Sequence, residues 1–327
     1  MASFVRAAAL ASALPPLGGD WMRRAEAIAS SVAASFKEKT GLPEHEWREL
    51  PCLVGSSSHF IGAREARPDA ALGPPIEFAT RLARWVGTSG PVMAVNTACT
   101  SGLTALGLAR DMVESGASQH VLVLGVELAN RLTNLGFAAL GMLTATQARP
   151  CDASRDGLAL GEAFAAVLVS GSGPWRIAGL ATEIDPSGFT APAPDEKIIA
   201  RAMKAALSAA GWQAGDVDLL KLQAGGSPSG DLAEARAVRG VFTAPPRALV
   251  SFKGEIGHTL GASGPAELAL LLEALARGTV PPTTGFSRPD PELGLEPKAG
   301  DGRSVRRVLF NLAGFGGHVA SLALARE

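Results

Sequence analysis

Cys99 stands in the run Asn96-Thr-Ala-Cys-Thr-Ser-Gly102, after the short apolar stretch Val92–Asn96 and before a segment with helical spacing, Ser101–Ser115. A cysteine where a buried strand turns into a helix meets free backbone N–H groups and the positive end of the helix dipole, and both favour thiolate over thiol. That setting suits a nucleophile, and a small buried apolar residue fits the same local pattern equally well. A second cluster follows a strand and opens an apolar helix: Lys253-Gly-Glu-Ile-Gly-His258-Thr-Leu-Gly-Ala-Ser-Gly264-Pro-Ala-Glu267. The glycines beside His258 let backbone approach its ring, and Lys253 and Glu267 are placed to form an ion pair beneath the loop. The third cluster is Asn311-Leu-Ala-Gly-Phe315-Gly-Gly317-His318. As structure it is a tight turn between two strands. As function it is a flexible gate whose backbone N–H groups complete an oxyanion hole.

Positioning these groups requires strands that end at them and helices that leave from them. The apolar runs His120–Val126 and Ala163–Val169 read as strands covered on both faces. Ser170–Pro174 is the best internal seam. Beyond it the architecture repeats: a strand at Trp175–Ala181, a helix at Glu196–Ala210, a strand at Val217–Leu222 and a helix at Leu232–Gly240. A strand at Ala248–Phe252, a helix at Pro265–Ala276 and closing strands at Val308–Leu312 and Val319–Ala325 complete it. The expectation is an α/β protein with a duplicated, layered αβαβα architecture. Residues 1–171 form the half carrying Cys99, and residues 172–327 the half carrying His258 and the glycine loop.

Taken in order, the three clusters resemble the elongating β-ketoacyl-acyl-carrier-protein synthases of the thiolase superfamily. Thr97-Ala-Cys-Thr-Ser is similar to the family's nucleophile elbow, and Cys151-Asp-Ala-Ser-Arg155-Asp-Gly-Leu-Ala-Leu-Gly161-Glu to its Phe-Asp-x-x-Arg-Asp-Gly-x-x-x-Gly-Glu segment. Lys253–Gly264 resembles Lys-x-x-x-Gly-His-x-x-Gly-Ala-x-Gly, and Asn311–Gly317 resembles Asn-Ser-Phe-Gly-Phe-Gly-Gly. The likeness runs from about residue 90 to the end, while residues 15–90, with the charged helix-like span Trp21–Lys39 and the loop Ser56-Ser-Ser-His59, resemble the family only loosely.

The resemblance implies the thiolase-like five-layer fold and a set of roles. Cys99 would take up an acyl chain as a thioester, and its N–H with that of Phe315 would hold the oxyanion. Phe315 with Gly316 would gate the acyl tunnel. His258 would donate a hydrogen bond to a malonyl thioester carbonyl, ordered by Lys253 and Glu267. No metal or resident cofactor is implied, because phosphopantetheine arrives on the acyl carrier protein. Acyl carrier protein or acyl-CoA is the implied partner, with Arg23, Arg24, Arg131 and Arg149 as docking candidates. A homodimer, or a heterodimer with another ketosynthase, would form through an edge strand of the first half.

Three departures carry as much weight. Where the family has His-Gly-Thr-Gly-Thr-Pro, this chain reads Gln223-Ala-Gly-Gly-Ser-Pro228, with Asp231-Leu-Ala-Glu234 intact. An amide donates a hydrogen bond but carries no proton, so decarboxylation is the step that Gln223 puts in question. Cys99 lies nearer the N-terminus than the family places its nucleophile, which implies a reduced first-half cap. Ala313 replaces the first Phe of the closing loop, and Val319 replaces its usual Asn. The expectation is a β-ketoacyl synthase-like acyltransferase in fatty acid or polyketide-type biosynthesis. The alternatives are a chain-length-factor-like partner subunit and a cysteine-dependent acyl transferase without decarboxylation.

Composition bounds these readings. A net charge of −1 over 327 residues, with 47% hydrophobic and 19% charged residues, fits a globular protein and argues against nucleic-acid binding. The longest N-terminal apolar stretch, Ala7–Leu14, is too short to span a membrane and reads as a first strand and loop. Cys52, Cys99 and Cys151 are too widely spaced for a disulfide framework or a metal knuckle, which implies a reducing, cytoplasmic setting. Cys52 and Cys151 read as packing residues, and His45, His59, His120 and His318 as surface or structural, with His318 beside the closing loop.

Overall fold

The alternation of buried strands and amphipathic helices is repeated twice along the chain. The computed structural model describes residues 2–11, 20–186 and 194–327. The first repeat runs β1 (Phe4–Leu10), α1 (Trp21–Thr40), α2 (Glu44–Glu49), β2 (Cys52–Gly55), α3 (Ile61–Ala66), α4 (Pro75–Trp85), β3 (Val92–Val95), α5 (Ser101–Glu114), β4 (His120–Glu127), α6 (Arg131–Ala139) and β5 (Ala163–Ser170). The second runs β6 (Trp175–Ile184), α7 (Glu196–Ala210), β7 (Leu219–Lys221), α8 (Pro228–Val241), β8 (Ala248–Val250), α9 (Lys253–Ile256) and α10 (Ser263–Ala276). A two-stranded ribbon of β9 (Thr279–Val280) and β10 (Gly300–Asp301) precedes β11 (Arg307–Ala313) and β12 (His318–Arg326). Of the N-terminal stretch read as strand and loop, residues 12–14 lie outside the described residues.

Strand order exposes the duplication. Five strands, β3-β2-β4-β5-β1, are followed by β6-β12-β11-β7-β8, so the second set mirrors the first across the β1–β6 contact. The senses match as well: β2 is parallel to β3 and β4 as β7 is to β8 and β11, and the two inner pairings of each set are antiparallel. Only Phe4 and Val5 pair with β6, which joins the two sets.

Three apolar clusters define five layers. Leu103 and Leu106 of α5 and Leu268 and Leu271 of α10 fill the middle, between strands of both sets. Ile28, Val32 and Phe36 of α1 with Phe78 and Leu82 of α4 cover one outer face. Ile199, Met203 and Leu207 of α7 with Val238 of α8 cover the other. The fold is therefore the expected αβαβα arrangement.

Local chemistry sets the helix starts. Asp20 caps α1 by accepting from the N–H groups of Met22 and Arg23. Ser227 caps α8, and Pro228 at its first position starts that helix before the expected Leu232. Asn130 caps α6, which buries none of its residues and so lacks the apolar stripe that would betray it. The middle helices cross closely because Gly102 has no side chain: a Cβ there would lie 2.2 Å from Cδ of Pro265. That crossing brings the first turn of α5, with Cys99 ahead of it, against the second repeat. Among the described residues no helix is long and apolar enough to cross a membrane.

Candidate active site

Cys99 sits in the five-residue connection from β3 to α5. Its turn is held by short-range hydrogen bonds: Asn96 Oδ1 accepts from the Ala98 N–H (3.2 Å), and Ser101 Oγ accepts from the Thr97 N–H (3.0 Å) while donating to the Ala98 carbonyl (2.5 Å). Ala98 adopts φ +52°, a left-handed conformation that costs an L-residue about 1–2 kcal/mol and turns the next residue inward. Cys99 is 3% exposed. The N–H groups of Phe315 and of Cys99 itself lie near enough to its sulfur to favour the charged form.

The thiolate expected from the helix end is not what this burial gives. Desolvation pushes the Cys99 thiol up to about 11, against the opposing pull of the Phe315 N–H, Lys253 and its own N–H, while Glu127 adds to the rise. At rest the nucleophile is a thiol and needs a base.

His258 lines the same cavity. Its backbone is fastened to the β5 approach, donating to the Ala159 carbonyl (2.7 Å) and accepting from the Gly161 N–H (3.0 Å). Ser263 Oγ lies 3.2 Å from Nδ1. Burial brings His258 down to about 3, with Lys253 lowering it further and Glu267 opposing. The imidazole is therefore neutral throughout the physiological range. Below it, Glu267 is sandwiched between two lysines: Oε1 pairs with Lys253 Nζ, and Oε2 lies 2.6 Å from Lys221 Nζ. All three side chains are at most 1% exposed.

Two buried carboxylates shape the loop after β7. Glu234 accepts from the N–H groups of Gln223 (2.7 Å) and Ala224 (2.8 Å) and from Asn311 Nδ2 (2.6 Å). Asp231 accepts from the Gly225 and Cys151 N–H groups at 3.0 and 2.8 Å. These bonds aim Gln223 at the Cys99 cavity, where its Oε1 has no hydrogen-bond partner among the described residues. A third carboxylate, Glu127 at the end of β4, accepts from Ser57 and Ser58 and, at 3.0 Å, from the Gly261 N–H, tying the first repeat to the histidine loop.

Two cavities meet at Cys99. A narrow one of about 50 Å³ is lined by Cys99, Gln223, His258, Gly314 and Phe315 and has room for a few waters. An open one of about 300 Å³ is apolar, lined by Cys99, Phe137, Leu140, Leu260 and Phe315. The Phe315 ring belongs to both and meets the Phe137 ring edge-on at 5.2 Å. Gly314 backs onto the nucleophile so closely that a Cβ would lie 2.9 Å from that of Cys99.

Residues 32–172 match the family model described as "Beta-ketoacyl synthase, N-terminal domain" and residues 176–287 the one described as "Beta-ketoacyl synthase, C-terminal domain". The "Putative polyketide beta-ketoacyl synthase 1" of Streptomyces halstedii is 30% identical over 83% of this chain and 69% of its own length. The chain belongs to the beta-ketoacyl synthase family. It is 31% identical to the "Tetracenomycin polyketide synthase ketoacyl synthase alpha subunit" of Streptomyces glaucescens and to the "3-oxoacyl-[acyl-carrier-protein] synthase 2" of Mycobacterium tuberculosis H37Rv. The matches span 64% and 61% of those two relatives. Among solved structures, "The ishigamide ketosynthase/chain length factor" superposes with a TM-score of 0.81 at 25% identity, covering 93% of this chain and 82% of that one.

Against this family background, Cys99, Gln223, His258 and Phe315 share one cavity, and Lys253 and Glu267 lie beneath it. Gly316, at φ +74°, lies in the turn beside Phe315 and does not line the cavity. Lys221, Phe137 and Glu127 escaped sequence reasoning. A lysine amid the apolar run Val217–Leu222 was the available signal for Lys221; the other two read as ordinary core. His45 is exposed, His59 packs edge-on to Phe78, and His120 Nδ1 lies 2.8 Å from Ser170 Oγ. His318 opens β12 without lining the cavity. Arg24 is unsuited to surface docking, because it is buried and held by both carboxylate oxygens of Glu162.

Proposed function

We propose that the protein takes an acyl group from a carrier-protein or coenzyme A thioester onto Cys99 and condenses it with a malonyl thioester, in fatty acid or polyketide-type biosynthesis. The carrying observation is the nucleophile shared between a narrow cavity holding a neutral imidazole and an amide, and an open apolar one. His258 takes the thiol proton as the sulfur attacks the acyl carbonyl, and the N–H groups of Cys99 and Phe315 receive the oxyanion. The departing carrier thiolate regains that proton from His258. The acyl chain then lies along Phe137 and Leu140, while the phosphopantetheine arm enters with its substrate on the Gln223 side. Phe315, which borders both cavities, is placed to gate the passage between them.

In the second half-reaction a malonyl thioester loses carbon dioxide, and its enolate carbon attacks the acyl-Cys99 carbonyl, releasing the sulfur. Neutral His258 donates to the enolate oxygen, as Gln223 does through its amide N–H. The Gln223 amide carries no charge, so it stabilises the enolate more weakly than an imidazolium would.

A second reading, a partner subunit that shapes another chain's tunnel, is favoured by Gln223 and by the exposed apolar surface of α6. Leu132, Leu135 and Leu140 there are 62%, 61% and 65% exposed, and Met93 on the edge strand β3 is 44% exposed. Either reading makes this side an interface, with a second copy or with a longer ketosynthase.

The test adds malonyl-carrier protein to acyl-loaded enzyme and measures carbon dioxide and the β-ketoacyl product. Condensation yields both, and Gln223→His raises their rate. A stable acyl-enzyme releasing no carbon dioxide limits the chemistry to transfer. No acyl-enzyme from any donor supports the partner-subunit reading.

A further inference from the structure

Lys221 is an unusual occupant of a β-sheet core. It ends β7 with a fully buried side chain on the face that packs against the middle helices. Isolated charges are expelled from such places, and a buried cation persists only with a partner. Its partners are specific. Nζ lies 2.6 Å from Oε2 of Glu267 on α10 and 3.9 Å from the ring centroid of Phe310 on β11. Lys253 of α9, Glu234 of α8 and the ring of His258 are the other charged or titratable groups that feel it.

Two ammonium groups thus share one carboxylate in a dry site. Burial brings Lys221 down to about 7, with Glu267 resisting and Lys253 reinforcing the drop. Around neutrality the cluster exchanges one proton and passes between a net charge of about +1 and zero. Lys253 acts directly on the Cys99 sulfur, lowering its proton affinity.

We propose that Lys221 is a positioning residue for the chemistry at Cys99, an inference resting on the acyl-transfer reading above. It holds Oε2 of Glu267 so that Oε1 stays on Lys253 beside His258, and it brings to the site a second positive charge that the amide of Gln223 lacks. Negative charge forms twice in the reaction, on the sulfur and on the enolate oxygen, and a charged Lys221 favours both. Because it lines neither cavity, it acts through Glu267 and through its field.

The test needs no acyl donor. The rate at which iodoacetamide alkylates Cys99 is followed by peptide mass spectrometry from about pH 6 to pH 9.5, with buried Cys52 and Cys151 as indicators of unfolding. The native protein is expected to show a break near neutrality, above which the rate climbs less steeply. Lys221→Met should react about three- to tenfold more slowly than the native protein at pH 6 and converge with it by pH 9, as a field effect of about 0.5–1 pKa unit requires. Lys221→Arg, charged throughout, should restore the rate at pH 6 and exceed the native rate at pH 9. A native profile without the break, or variant-to-native ratios independent of pH, overturns the assignment. Should Lys221→Met fail to fold, the native profile and Lys221→Arg decide. A break near neutrality without an acyl adduct from any donor supports Lys221 and overturns only the transfer reading.

Discussion

The two repeats place a strand-to-helix connection at the same topological position and build opposite things there. The β3–α5 connection is five residues long and held by its own side chains, with Cys99 at a strained turn. The β8–α10 connection, twelve residues with α9 inside it, carries Lys253 and His258 and leads to Glu267. The short connection fixes one atom in space. The long one assembles charge, and its own hydrogen bonds do not suffice, so it borrows Ala159, Gly161 and Glu127 from the first repeat and Lys221 from β7. Duplication supplies the frame, and the division between nucleophile and proton handling arises from connection length and burial.

Removing the base should separate the two connections most sharply. His258→Asn is expected to slow acyl loading about 10²–10⁴-fold. Cys99 should still alkylate at pH 10, where hydroxide replaces the base. Equal loss of both rates would mean that the histidine loop merely supports the elbow.

Next in size is Glu267→Gln, which strips the charge between two buried lysines. About 3–5 kcal/mol of stability should be lost in denaturant titration. A loss under 1 kcal/mol would show that the lysines are already neutral. Gly102→Ala forces a methyl against Pro265 and should cost about 1–3 kcal/mol while lowering loading, because it separates α5 from α10. Unchanged activity would show that the site tolerates a wider crossing.

The smallest effect is the pH dependence of stability. The Cys99 thiol is raised from its ordinary value of 9.0 to about 11 in the folded protein, so its contribution is fully present below pH 9 and is lost as pH rises through 11. Relative to Cys99→Ala, the native protein should lose about 1–3 kcal/mol across that window. A flat difference would mean that the sulfur ionises freely within its turn.

Legibility in the sequence followed the same division. From Val92 onward most strands are apolar runs, so their order and the helices α5, α7, α8 and α10 could be read, whereas α6, which buries no residue, and the four-residue α9 could not. Lys253, His258 and Cys99 were visible because glycines and small residues surround them. Between residues 20 and 90 the helix-like span Trp21–Lys39 corresponds to α1, but β2 is a four-residue strand and α2 and α3 are six residues each, too short for a period. The state of Cys99 was misread because a helix end is visible in sequence, whereas the surrounding burial that outweighs it comes from both repeats. Lys221 and Glu127 act over 46 and 134 residues of separation, and no local pattern announces such pairings.

The central claim is that the sulfur of Cys99 carries the acyl group. Purified protein is incubated with acyl-carrier protein or acyl-coenzyme A donors of increasing chain length, digested and analysed by mass spectrometry. One acyl mass on the peptide bearing Cys99, absent from Cys99→Ala and sensitive to hydroxylamine, is the predicted result. Acylation elsewhere, or no adduct with any donor while Cys99 still alkylates, would contradict it.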